Sequence, residues 1–189
     1  MPTSRHHERS AYAWAVVSVW LAGTAYAFWS FELKHQRPFE SAHTVLFDSG
    51  QRTRAAEAWF RTVVAPGSDG GSGHVATVVH VYSANCPCNR FTQPHLERIV
   101  AGYQHRGVSF VTVARGSIDL AWIEATPAAL VFDAAGRLVY FGPYSDSARC
   151  GESGGGLVER VLERVLGGQS PRPQPFYGGG CFCNSANNI

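Results

Sequence analysis

The chain has 189 residues and a formal net charge of +2 with its histidines neutral. That length allows one ordinary domain with an anchor or a tail, and is too short for two well-buried cores. Charged residues make up only 16% of it, and Lys and Arg nowhere run together between aromatics, so a nucleic-acid partner is excluded.

Residues 1–10 form a polar head carrying Arg5 and Arg9, expected on the cytoplasmic side. Ala11 to Trp29 hold no charged side chain and include Val16, Val17, Val19, Trp20, Leu21 and Phe28. At helical rise this stretch matches the thickness of a hydrocarbon core, and Trp and Tyr near both ends suit the interface. The expectation is a transmembrane anchor over residues 11–29. A cleaved signal peptide is the alternative, since Ala25-Tyr26-Ala27 has the small-x-small form of a cleavage site, and a buried soluble helix is the third reading. An anchor would place the chain in a bacterial inner membrane, single-pass, with its folded domain in the periplasm; the paired cysteines favour such an oxidising exterior.

Residues 30–73 divide into three. Glu32 to Phe47 is polar, contains Pro38 and reads as a stalk. Arg52 to Val64 places Ala55, Ala56, Trp59, Phe60 and Val63 at helical spacing, and Pro66 to Gly73 breaks regular structure. The main domain is expected over residues 74–167. Val75 to Tyr82 is a β-branched run suited to a buried strand; Phe91, Leu96, Ile99, Val100 and Tyr103 then mark a helix beginning at Cys88 and closed by Gly107. Val108 to Val113 is a second buried strand, and this order implies a parallel pair with a right-handed crossover.

Ala128 to Phe132 and Leu138 to Phe141 form a hairpin about Asp133–Arg137, in which Gly136 can take the positive φ a turn needs. Leu157 to Leu166 is a closing amphipathic helix behind Gly154-Gly155-Gly156, read as a hinge. Residues 168–189, with Pro171, Pro173, Pro175 and three consecutive glycines, are expected to be an irregular tail.

The five cysteines fall as Cys86/Cys88, Cys181/Cys183 and a lone Cys150. Pairs one residue apart point to redox chemistry or soft-metal binding, because a disulfide framework needs cysteines distant in sequence. Cys86-Pro87-Cys88 stands at a helix N-terminus, whose unpaired N–H groups and dipole favour a thiolate. Cys86 is expected to be the nucleophile and Cys88 its resolving partner. A disulfide between them closes a small ring away from relaxed geometry, which suits an oxidant or isomerase. Cys181, Cys183 and Cys150 are secondary redox candidates; a static disulfide, such as Cys150 with one tail cysteine, is the other reading. Two inert buried thiols at Cys86 and Cys88 are a further one.

The order of buried strand, cysteine pair at a helix start, parallel strand, Thr126-Pro127, hairpin and closing helix resembles the thioredoxin superfamily over Val75 to Leu166. The resemblance implies an α/β, thioredoxin-like fold: a central mixed sheet flanked by helices, here preceded by the transmembrane helix. It also implies that Thr126-Pro127 is a Thr–cis-Pro pair lying against the cysteines and leaving a backbone edge for an extended substrate chain. Cys86 to Phe91, Phe141 to Tyr144, Cys150 and Gly180 to Cys183 are similar to an uncharacterised family of membrane-anchored bacterial thioredoxin-like proteins, which implies no activity. The superfamily motif is Cys-x-x-Cys, whereas this chain has Cys86-x-Cys88 preceded by Asn85.

The function expected is a membrane-tethered thiol-disulfide oxidoreductase or isomerase. Cys86, Pro87, Cys88, Thr126 and Pro127 would form its working site, without a cofactor, and its partners would be protein thiols or disulfides and, through residues 11–29, the membrane. The alternative is copper or zinc binding or delivery through Cys86, Cys88, His80 and His95. A thiol-peroxidase reading rests on the Ser83-x-x-Cys86 spacing and on Arg115 as a thiolate partner.

Overall fold

The computed structural model describes residues 4–30, 36–38, 50–66, 73–117, 123, 125–145, 156–173 and 179–184. The chain divides into two compact units, Met1–His35 and Gln36–Ile189. Cys150, most of the stalk, the loop at 67–72 and Gly154-Gly155 lie outside the described residues.

The first unit is a helix, α1 (Ser4–Phe28), on which Tyr12, Trp14, Val19, Trp20 and Tyr26 are exposed. The expected transmembrane span falls on this helix, and among the described residues no helix is long and apolar enough to cross a membrane. Tyr12, Trp14, Ser18, Trp20, Gly23, Thr24 and Tyr26 lower the hydropathy that the valines and Leu21 supply.

The second unit is built on a four-stranded mixed sheet. β2 (Ala76–Tyr82) lies between β3 (Val108–Ala114), to which it is parallel, and β5 (Ala128–Asp133), to which it is antiparallel; β6 (Leu138–Gly142) completes the order β3-β2-β5-β6. A strand paired on both edges and covered on both faces is largely apolar, and Ala76 to Val81 are all buried, Thr77 and His80 being the polar members of the run. The parallel pair needs a crossover, supplied by α3 (Asn89–Tyr103), since no hairpin can join parallel strands.

Alternation along the strands divides the core in two. Val79, Val81, Leu130 and Phe132 pack with Ala56 and Trp59 of α2 (Gln51–Trp59) and with Phe60 and Val64 of the π turn that continues it. The rings of Phe60 and Phe132 stack with centroids 4.2 Å apart. Ala76, Val78, Ala129 and Val131 belong to the other cluster, with Leu96 and Ile99 of α3 and Val158, Leu162 and Val165 of α4 (Leu157–Leu166). Those α4 positions fall at the i, i+4, i+7 spacing of one helix face.

The β5–β6 turn is held by Asp133, whose carboxylate accepts from the backbone N–H groups of Ala135 and Arg137, from Arg137 Nε and from Ser170 Oγ. Burial pushes its pKa up, and the hydrogen bonds from Ser170 and Arg137 more than offset this, so the carboxyl is held below its ordinary value. Gly136 takes φ 70° in this turn, and a Cβ there would stand 3.3 Å from the Phe60 ring. Asp133→Ala is expected to lower stability by about 2–3 kcal/mol, read as a fall in the urea midpoint at unchanged m, because it strips partners from two turn N–H groups.

The expectation of an irregular tail is overturned. Gly179–Cys181 forms β7, antiparallel to β1 (Gln36–Pro38), and Cys183–Asn184 forms β8, antiparallel to β4 (Ala125–Thr126). Within the segment read as a stalk, the described residues Gln36–Pro38 form the strand that receives β7. Backbone ladders need no apolar side chains, so a glycine-rich segment can form them where partner edges are presented.

Candidate functional site

β2 ends at Tyr82, and the chain turns through Ser83–Cys88 before α3 begins. The backbone N–H of Cys86 donates to the Ser83 carbonyl at 3.0 Å, and Asn89 Nδ2 donates to the same carbonyl at 2.7 Å. Cys88 is the N-cap residue of α3; its carbonyl accepts from the N–H groups of Phe91 and Thr92 and from Thr92 Oγ1. Cys86 is 5% exposed and Cys88 fully buried, while Pro87 between them faces solvent. The pair thus stands at the positive end of the α3 dipole.

Thr126 and Pro127 arrive from β4, and the peptide bond between them is cis. Thr126 Oγ1 is hydrogen-bonded to Ser83 Oγ at 2.9 Å, and Cys86 Sγ lies 3.5 Å from the Thr126 carbonyl oxygen, within reach of an S–H donor when Cys86 is a thiol. All five residues of the expected working site therefore come from two adjoining segments of the same unit.

The tail supplies a further sulfur. Cys183 is disulfide-bonded to Cys86, with Cα atoms 5.8 Å apart, and its Cα partner across the β4–β8 ladder is Thr126. The sulfurs of Cys86, Cys88 and Cys183 all lie within 4.8 Å of one another. Phe182, one residue before Cys183, is buried in the cluster that contains Trp59, Val81, Ile123 and Ala125. Cys181 sits in β7 opposite Gln36. Phe182 and Asn89 escape a sequence reading, and Ser83 enters it only through its spacing to Cys86; the one signal for Phe182 was its place as a large apolar residue between two cysteines.

His80 and His95 are directed elsewhere. His80 Nδ1 is 2.7 Å from the Tyr144 hydroxyl, and His95 Nε2 is 2.7 Å from Glu159 Oε1. The rings of His95 and Tyr144 lie with centroids 6.0 Å apart. Among the described residues, the donor atoms close enough to share a metal ion are the three cysteine sulfurs, without either histidine. Arg115 Nε donates to the Ile123 carbonyl.

Burial lowers the His80 pKa from 6.5 to about 4, and burial, aided by Glu159, raises that of Tyr144, so the phenol keeps the proton it donates to a neutral imidazole. From pH 6.5 down to about 4 the unfolded chain binds a proton at this position that the folded chain does not. Stability carried by a neutral His80 is therefore complete above pH 6.5 and falls with acidification through that window, by about 3 kcal/mol in all. Urea midpoints at pH 7 and pH 4 should differ less in His80→Gln than in the parent chain. Equal differences would rule out this contribution.

An α/β unit with three converging cysteine sulfurs at a strand-to-helix junction is the class that fold and site define. The chain belongs to the family described as a domain of unknown function, DUF6436, which matches residues 58–185. Two solved structures are similar to it. An uncharacterized conserved protein from Geobacillus kaustophilus is 20% identical, over 62% of this chain and 80% of that one, with a TM-score of 0.48. A hypothetical protein from Sinorhizobium meliloti 1021 is 18% identical, over 59% of this chain and 79% of that one, with a TM-score of 0.47. No curated protein matches the chain.

Proposed function

We propose that this chain is a thiol-disulfide oxidoreductase or isomerase on a thioredoxin-like fold, with Cys86 as the exchanging sulfur and Cys88 as the resolving thiol. The observation that carries the reading is the convergence of the Cys86, Cys88 and Cys183 sulfurs within 4.8 Å, with Cys86 and Cys183 joined in a disulfide. Exchange requires a thiolate in line with a disulfide, and the helix N-terminus at Cys88 and Asn89 favours the charged sulfur. In the reductive direction the Cys86 thiolate attacks a substrate disulfide, forming a mixed disulfide and releasing one substrate thiolate. Cys88 then attacks the Cys86 sulfur; the second substrate thiolate leaves, and two electrons have passed from the Cys86/Cys88 dithiol to the substrate. The reverse sequence oxidises a substrate dithiol. Protein thiols or disulfides are the substrates we assign, in an oxidising compartment such as a bacterial periplasm, where the disulfide form would persist.

The test is equilibration of the full chain in dithiothreitol buffers of graded potential, with trapped thiols counted by mass. A two-electron couple lost in Cys86→Ser supports the reading, and a chain whose thiol count never changes with potential rejects it.

The same three sulfurs favour a second reading. In the fully reduced chain they would offer a soft thiolate set suited to Cu(I), and would supply three of the four ligands zinc prefers. Stoichiometric copper in the reduced chain, lost in Cys86→Ser and Cys88→Ser, together with no redox couple, would select it.

A further inference from the structure

We infer that Asn89 is a positioning residue that sets the redox poise of Cys86: its buried side-chain oxygen accepts the Cys86 S–H, a donor that exists only once the Cys86–Cys183 bond is reduced. The inference rests on the exchange reading above and deepens it by naming a residue that biases the direction of exchange.

The Asn89 side chain turns back over the cysteine loop. Its Nδ2 donates to the Ser83 carbonyl at 2.7 Å, beside the Cys86 N–H, which donates to the same oxygen at 3.0 Å. A carbonyl must face a donor, so this contact fixes the nitrogen end of the amide and leaves Oδ1 as a pure acceptor. The Asn89 N–H donates to the Cys86 carbonyl at 3.2 Å, and residues three apart across such a turn carry their side chains on one side of it, whereas adjacent residues such as Cys88 and Asn89 do not. Cys86 is therefore the cysteine that the amide serves.

Among the described residues, Asn89 Oδ1 is buried and has no hydrogen-bond partner. A buried acceptor without a donor is costly, and here the cost falls on the oxidised state, in which the Cys86 and Cys183 sulfurs are bonded to each other and carry no proton. Reduction supplies the donor. When a dithiol breaks the Cys86–Cys183 bond, each sulfur gains a proton and the dithiol leaves as its own disulfide. Cys86 S–H then has two acceptors beside it, Asn89 Oδ1 and the Thr126 carbonyl oxygen 3.5 Å from Sγ. Relief of Oδ1 favours the reduced form and makes the oxidised chain a stronger oxidant. The Nδ2 bond to Ser83 holds the loop whatever the state of the sulfur, so it cancels from this balance.

The test equilibrates the full chain in dithiothreitol buffers of graded potential and reads the reduced fraction of Cys86 from its alkylated peptide by mass. Asn89→Leu and Asn89→Ala remove both ends of the amide; Asn89→Asp loses the Nδ2 bond and keeps an acceptor. We expect the equilibrium in Asn89→Leu and Asn89→Ala to move about fivefold toward the disulfide, a fall of ~20 mV for a two-electron couple, and Asn89→Asp to show no such fall. The infrared S–H stretch of the reduced chain should rise in frequency in Asn89→Leu, as a hydrogen-bonded thiol is set free. A potential unchanged in Asn89→Leu and Asn89→Ala, an equal fall in all three variants, or an unmoved S–H band would overturn the inference while leaving the exchange reading intact. A parent chain whose Cys86 shows no couple would overturn both. Asn89→Ala cannot overpack the loop, so the comparison holds even if Asn89→Leu does not fold.

Discussion

Cys86→Ser is expected to abolish thiol-disulfide exchange, leaving only the background rate of small thiols in solution, because Cys86 is the sulfur that both Cys88 and Cys183 approach. Substitution at this position also removes the tail disulfide, so loss of activity alone could reflect loss of structure. Cys183→Ser provides the control: it removes the same bond and keeps Cys86. The two variants should therefore lose stability alike and part in activity, Cys183→Ser reacting at least as fast as the parent chain because its Cys86 is no longer engaged. Cys88→Ser should complete the first step and stall there, accumulating a mixed disulfide visible by mass. Retention of the parent rate in Cys86→Ser would sink the assignment. The measurement is exchange with a glutathione-linked peptide, followed by release of glutathione.

Cys183→Ser is also expected to produce the largest single loss of stability. The Cys86–Cys183 bond joins residues 97 apart, and closing a loop of that length restricts the unfolded chain by close to the upper end of what one disulfide achieves. A destabilisation of about 2–4 kcal/mol relative to the oxidised parent is the expected outcome, read as a lower urea midpoint and a lower melting temperature. Phe182 keeps its burial in the variant, so the loss should stop short of full tail release. Adding Phe182→Ala should then cost about 3 kcal/mol more, the scale of an aromatic truncation in a core. A Cys183→Ser midpoint equal to that of the oxidised parent would show that the bond does not constrain the chain.

The strand–helix–strand order, the hairpin and the closing helix were legible because their residues repeat at periods that only a strand or a helix explains. Val75 to Tyr82 and Val108 to Val113 were placed to within a residue or so of β2 and β3, and Leu157–Leu166 to the residue. What escaped is what no local pattern records. β8 pairs with a strand some sixty residues earlier through backbone atoms, and Gly179, Gly180 and Pro175 read as breakers because local propensity cannot anticipate a partner edge. His80, Tyr144, His95 and Glu159 likewise meet only after β2, α3 and α4 have packed on one face of the sheet. The two histidines were sequence neighbours of the cysteines and on that ground were weighed as metal ligands. Strand alternation directs His80 to the α3 and α4 face, while Val79 and Val81 face α2.

The long separation between Cys86 and Cys183 has a bearing on how the molecule behaves once unfolded. In the oxidised chain the covalent path from residue 86 through β3, the hairpin and α4 returns upon itself, so the denatured molecule is a closed loop with two free arms. Reduction opens it into a linear coil of larger radius. The same redox event that exposes a reactive sulfur thus changes the chain's topology. Electrophoretic mobility in detergent, without reductant, would report the state of the site in a crude extract.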